Sequence, residues 1–234
     1  MTLPLALLPS PFLGPAVWRP VADVLRANGF DVLEVRAPAT APRSPADVLA
    51  TYLGAIPTDV AVVVVPHSNA GLFVPAIVSS RRVGAMVFVD AGVPPRRGQF
   101  PLAPSDFRAF LAGLVDDAGQ LPPWTRWWDA DVSELFPSAA VRDRVEAEQH
   151  RLPLSYFSGA MSAPPGWDEG VAAAYLAFGD TYAEDRNEAV RRGWTVTTLS
   201  GKHLHMLVDP HPVAAAVGSM LGEMGIRPGR DVRM

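Results

Sequence analysis

The chain has 234 residues, of which 49% are hydrophobic and 19% charged, and its formal net charge is −4. That is apolar enough for a buried core and too weakly charged for a disordered chain. It has no basic stripe of the kind a nucleic-acid partner requires. Cysteine is absent, which excludes disulfides, thiolate metal sites and cysteine nucleophiles.

Short apolar runs alternate with amphipathic stretches of helical length. Residues 3–8 read as a strand. The apolar start, 3–17, is broken by Pro4, Pro9, Pro11 and Pro15 and has no basic residue before Arg19, so it is not read as a secretory signal. A cytoplasmic protein is expected. No run reaches the ~18 apolar residues of a membrane span. A helix is expected over 18–28, with Gly29 to stop it, then a strand over 31–35. Ser44 is placed to cap a helix over 45–53 that has Pro45 at its first position. The run 60–65 (VAVVVV) is apolar on both faces and suits the centre of a parallel sheet. A helix over 69–80, kinked at Pro75, and a buried strand over 85–89 follow.

The rhythm then breaks. Residues 95–170 show no buried-strand pattern and are rich in Pro, Trp, Phe and charge, with helical pieces at 105–114 and 139–149. Alternation resumes with a strand at 172–178, a helix at 183–192, a strand at 195–199 and a closing helix at 212–221. The polar tail from Arg227 is expected to fray. The fold class is therefore α/β, a doubly wound, mostly parallel sheet with helices on both faces. Residues 1–94 and 171–234 form the core, and 95–170 form a mainly helical inserted lid.

Chemistry concentrates at Val65-Pro66-His67-Ser68-Asn69-Ala70-Gly71. A buried strand ends, compact residues surround a serine, and a helix begins. Such a tight turn lifts a hydroxyl above the sheet edge and points a helix N-terminus at it. The alternative is that Ser68 merely caps the helix. Here the chain resembles the α/β-hydrolase family, whose pattern is Gly-x-Ser-x-Gly, with Pro66 and Ala70 standing where the glycines usually are.

The resemblance covers the chain to about Gly92 and again from about Val171, and it implies a serine hydrolase. His203, in the loop before Asp209-Pro210, matches the family's histidine, with Lys202 where glycine is common and His205 as the rival. Asp180, just after the strand at 172–178, stands at the usual place of the acid. Asp185 is a neighbouring candidate, and Asp90 is the alternative used by members that carry the acid earlier. The N–H groups of Asn69 and Phe12 would form the oxyanion hole, with Ser10 contributing its hydroxyl; the alternative for that loop is a plain turn.

Within the insertion, Trp124, Trp127 and Trp128 lie in five residues. They suit an apolar pocket wall or packing of the lid onto the core. His67, Tyr156, Phe157 and His205 are further pocket candidates. No P-loop, dinucleotide fingerprint or metal-ligand spacing is present, so neither a cofactor nor a metal is called for. The expected partner is a small molecule with an apolar part, and the expected reaction is hydrolysis of an ester, lactone or thioester. A lyase, cyclase or dehydratase using the same residues, and a non-catalytic binding module, are the alternatives. The sequence does not fix the oligomeric state.

Overall fold

A computed structural model describes residues 2–36 and 40–229. The chain runs β1 (Leu5–Leu8), α1 (Arg19–Ala27), β2 (Val32–Glu34), α2 (Pro45–Ala55), β3 (Val62–Ser68), α3 (Val74–Ser80) and β4 (Val83–Ala91). Next come β5 (Gly98–Pro101), α4 (Ser105–Ala112), α5 (Ala139–Glu148) and β6 (Ala160–Ala163). It ends with β7 (Ala172–Phe178), α6 (Ala183–Arg191), β8 (Thr195–Leu199), α7 (His205–Val208) and α8 (Pro210–Glu223).

Six strands form one sheet in the order β2-β1-β3-β4-β7-β8, and every pairing within it is parallel. Parallel strands need helical crossovers, which cover both faces. Accordingly β3 is buried along its whole length and β4 along most of its own. Helix α1 packs on α7 and α8, and α2 packs on α3. After β1 the chain moves outward to β2, then returns across β1 to build β3 on its other side. The loops that leave β1 and β3 therefore diverge and open a crevice at their carboxyl ends, where ligands bind in open α/β sheets.

Local chemistry sets several boundaries. The Ser44 hydroxyl accepts the Asp47 N–H at 3.3 Å, and the Asp47 carboxylate accepts the Ser44 N–H at 3.0 Å, a reciprocal cap on α2. The helix expected over 69–80 is instead a 3-10 turn, Asn69–Phe73, followed by α3. Pro75 has no N–H to donate, so it fits only in the first turn of a new helix. Gly71 is required by contact, since a Cβ there would lie 2.1 Å from the carbonyl oxygen of Gly92.

Segment 95–170 contains a strand pair that the sequence pattern hides. β5 and β6 form an antiparallel ribbon, with Gly98 opposite Ala163 and Pro101 opposite Ala160. Each strand has four residues, and only Phe100, Met161 and Ala163 of the ribbon are buried, too few to show a two-residue period. The ends of the segment meet at Arg192, which caps the C-terminus of α6. Arg192, whose side chain is 1% exposed, reaches the Asp168 carboxylate at 3.1 Å and the Pro94 carbonyl at 2.6 Å. The Trp167 indole donates to the Pro95 carbonyl at 2.9 Å. At the other terminus, the Gly229 N–H donates to the Gly29 carbonyl at 2.8 Å, and the rest of the tail lies outside the described residues. Among the described residues no helix is long and apolar enough to cross a membrane.

Candidate active site

Ser68 ends β3 with φ 58° and ψ −131°. Among the described residues, only Ser68 and Asp90 are non-glycine residues with positive φ. Such conformations cost on the order of 1–3 kcal/mol each and persist where the surroundings over-determine them. Both residues sit at carboxyl ends of neighbouring central strands, and the β3–β4 register shifts at this point, between His67 and Ser68. The Gly92 N–H donates to the Ser68 carbonyl at 3.1 Å. The sharp turn exposes 5% of Ser68 to the crevice.

His203 lies between β8 and α7. Its Nδ1 is 2.6 Å from Asp90 Oδ2. Asp90 is fully buried, and its other oxygen accepts the Phe178 N–H at 3.0 Å. The carboxylate beside His203 is thus Asp90, not Asp180. The Asp180 side chain is 87% exposed and turns away to pair with Arg186 at 3.2 Å. The Tyr175 hydroxyl steadies this strand end by accepting the Ala91 N–H at 3.1 Å and donating to the Ala91 carbonyl at 2.9 Å.

His67 stacks on His203, with ring centroids 4.6 Å apart, and its Nε2–H donates to the His203 carbonyl at 3.1 Å. Burial, reinforced by the neighbouring His203, holds the His67 imidazole well below its ordinary pKa, so it stays neutral. Its Nδ1 and the Trp18 indole nitrogen lack protein hydrogen-bond partners. Asp185 lies on the far side of the same crevice. Burial pushes its carboxyl up to about 6, opposed by the Val93 N–H that it accepts at 2.6 Å.

Asn69 opens the 3-10 turn, and the first N–H groups of such a turn have no partner within it. Its side-chain amide donates to the Leu102 carbonyl at 3.1 Å and accepts the Tyr156 hydroxyl at 3.4 Å. The loop after β1 folds around the buried Ser10, whose hydroxyl takes the Phe12 N–H in a long contact of 3.5 Å. Glu148 of α5 anchors the same loop by accepting the Ala16 N–H at 2.6 Å and pairing with Arg19.

A cavity of about 1160 Å³ opens above these residues. Ser68, Asn69, Phe12 and His203 reach it, as do Trp124, Trp127, Trp128 and the far side of the turn with Asp180 and Tyr182. Phe12 packs on Trp127 at 5.2 Å and on Phe157 at 5.4 Å. Trp128 is 39% exposed and stacks with Phe107 and Phe110. Ser10, His67, Tyr156, Phe157 and His205 stand behind the cavity wall. Tyr156 braces Asn69 and Phe12, and His205 packs against Phe178. Lys202 pairs with Glu134 at the rim. Among the described residues no three His, Asp or Glu side chains gather as a metal site.

Sequence reasoning missed Tyr182. Its hydroxyl is 3.0 Å from Ser68 Oγ, and its ring lies 5.4 Å from that of His203. In the sequence it reads as an ordinary turn residue, and nothing in its neighbours marks it.

No family model and no curated protein matches the chain. Solved structures do. A variant of tomato methylketone synthase I aligns with a TM-score of 0.75 at 14% identity, over 96% of this chain and 99% of that one. Polyneuridine aldehyde esterase aligns at 0.69 and 17%, over 95% and 99%. An extracellular α/β-hydrolase from a Paenibacillus species aligns at 0.68 and 16%, over 98% and 100%. The chain has the α/β-hydrolase fold.

Proposed function

We propose that the chain is a serine hydrolase for a carboxylic ester with a hydrophobic portion, lactones and thioesters being the variants of the same chemistry. The supporting observation is a strained serine at a strand end, facing one cavity with a histidine whose Nδ1 lies 2.6 Å from a buried carboxylate. A serine hydroxyl is a weak nucleophile at its own pKa and needs such a base. Ser68 Oγ attacks the carbonyl carbon, and His203 Nε2 takes the proton and later returns it. Asp90 keeps the Nδ1–H tautomer and steadies the imidazolium. The oxyanion accepts from the Asn69 N–H and from the Phe12 N–H, which leaves its long contact with Ser10. Segment 95–170 acts as a lid whose tryptophans give the substrate an apolar wall and exclude water.

The hydrogen bond of Ser68 Oγ to Tyr182 favours one other reading, in which His203 is a base on carbon and Ser68 only positions the substrate. Intact-protein mass spectrometry after fluorophosphonate treatment separates the two. A single adduct, absent from Ser68→Ala, is the expected result. A folded, unlabelled wild-type protein would abandon the nucleophile role.

A further inference from the structure

The turn after β7 is positioned with unusual care for a segment that does not supply the partner of His203. Gly179 adopts φ 65°, and a Cβ there would lie 2.8 Å from the carbonyl of Gly201, so the turn is pressed against the loop that carries His203. Asp180 is directed outward to Arg186, whose guanidinium also holds the Gly179 carbonyl at 3.0 Å. Two residues on, Tyr182 is directed inward. It stands at the N-terminus of α6, accepts the Arg186 N–H through its carbonyl at 2.9 Å, and lays its ring on His203. Its hydroxyl ends 3.0 Å from Ser68 Oγ. Because Asp90 comes from β4, this turn is released from holding the histidine and can address the serine.

We propose that Tyr182 is a catalytic hydrogen-bond donor to Ser68 Oγ, stabilising the negative charge this oxygen carries while its bond to the acyl carbon forms and breaks. The proposal rests on the reading of Ser68 as nucleophile. In acylation the Oγ–carbon bond forms, the Oγ proton passes to His203 Nε2, and the carbonyl π pair moves onto the carbonyl oxygen. Collapse expels the alcohol, which takes the proton from His203. In deacylation a water replaces the alcohol, and Oγ leaves and recovers its proton from His203. Oγ is most negative at the moments when it is only partly bonded to carbon or hydrogen, and a donor at hydrogen-bond distance strengthens there. Tyr182 keeps its own proton throughout. Burial pushes its phenol above the ordinary range, so it remains a neutral donor across the working pH.

Tyr182→Phe removes the hydroxyl and keeps the ring on His203. The measurements are the second-order rate of fluorophosphonate labelling, kcat and KM on a p-nitrophenyl ester, and the melting temperature, each against wild type. Labelling and kcat should fall about ten- to a hundredfold, with KM within about twofold and a folded protein by melting and circular dichroism. Tyr182→Leu, which also removes the ring, separates packing from donation: it should lower the melting temperature further while labelling no faster than Tyr182→Phe. Labelling by Tyr182→Phe that is unchanged, or faster, would overturn the proposal, the latter by showing that the hydroxyl only restrains the resting serine. A wild type that does not label at all would instead defeat the nucleophile reading beneath it.

Discussion

At the scale of single residues, two aspartates compete on paper and only one meets the histidine. Asp90→Asn keeps the shape but offers an amide N–H or the wrong tautomer to His203, and kcat should fall by about 10³–10⁴-fold, as when a triad carboxylate is lost. Asp180→Asn should leave steady-state kinetics within about twofold, because that exposed side chain only pairs with Arg186. Comparable losses in both variants would refute the assignment. His67 adds a pH dependence whose sign follows from its lowered pKa. The folded state binds this proton less readily than the unfolded state, so stability is complete above the ordinary histidine value and falls as pH drops below it. His67→Phe should flatten that acid limb of the melting-temperature profile, and an unchanged limb would count against it. The placement of Ser68 and His203 at one crevice was legible because a strand-to-helix turn and a loop before a proline are local patterns. The choice of Asp90 was not, because it depends on a positive φ at the end of β4, which turns the carboxylate toward a residue 113 positions away.

At the scale of elements, the turn between β3 and α3 depends on a close approach of Gly71 to Gly92. Gly71→Ala would place a Cβ 2.1 Å from the Gly92 carbonyl and 3.2 Å from the Phe88 ring. Such overpacking costs about 1–3 kcal/mol, a fall in melting temperature of about 2–12 °C for a chain of this size. Labelling of Ser68 should slow in the same variant, because the strand end that sets its backbone must shift. A melting temperature within a degree of wild type would refute the contact argument. The core elements were readable because central parallel strands are continuous β-branched runs, as in β3, and their helices carry caps such as Ser44. The β5–β6 ribbon was not, because its residues are mostly small or polar and each pair joins residues far apart in the chain, as Gly98 with Ala163. The split of 69–80 into a 3-10 turn and α3 was half visible: Pro75 signalled a disturbance but not which side of it stays helical.

At the scale of the whole molecule, buried charge ties the long segment to the sheet. Arg192 meets Asp168, Glu188 and the Pro94 carbonyl, and its guanidinium lies 5.8 Å from the Trp167 ring and 5.3 Å from the Trp194 ring. Removing one member of such a buried set strands the others, and Arg192→Met should cost about 3–5 kcal/mol in urea unfolding. A loss below about 1 kcal/mol would show that the cluster is not stabilising. Because Pro95 and Trp167 touch, and β5 and β6 close in step above them, residues 96–166 leave the core and return to it at nearly the same place. Along the chain that stretch has one root, but in space it is also held at its far side, where Glu148 takes the Ala16 N–H and the Tyr156 hydroxyl meets Asn69. A short bridge from Pro95 to Trp167 would therefore also release the loop after β1 and the Asn69 side chain, which Glu148, Leu102 and Tyr156 hold. A stretch of different length could start and end at the same root, and the cavity lining could change with it wherever the braces on Phe12 and Asn69 are kept.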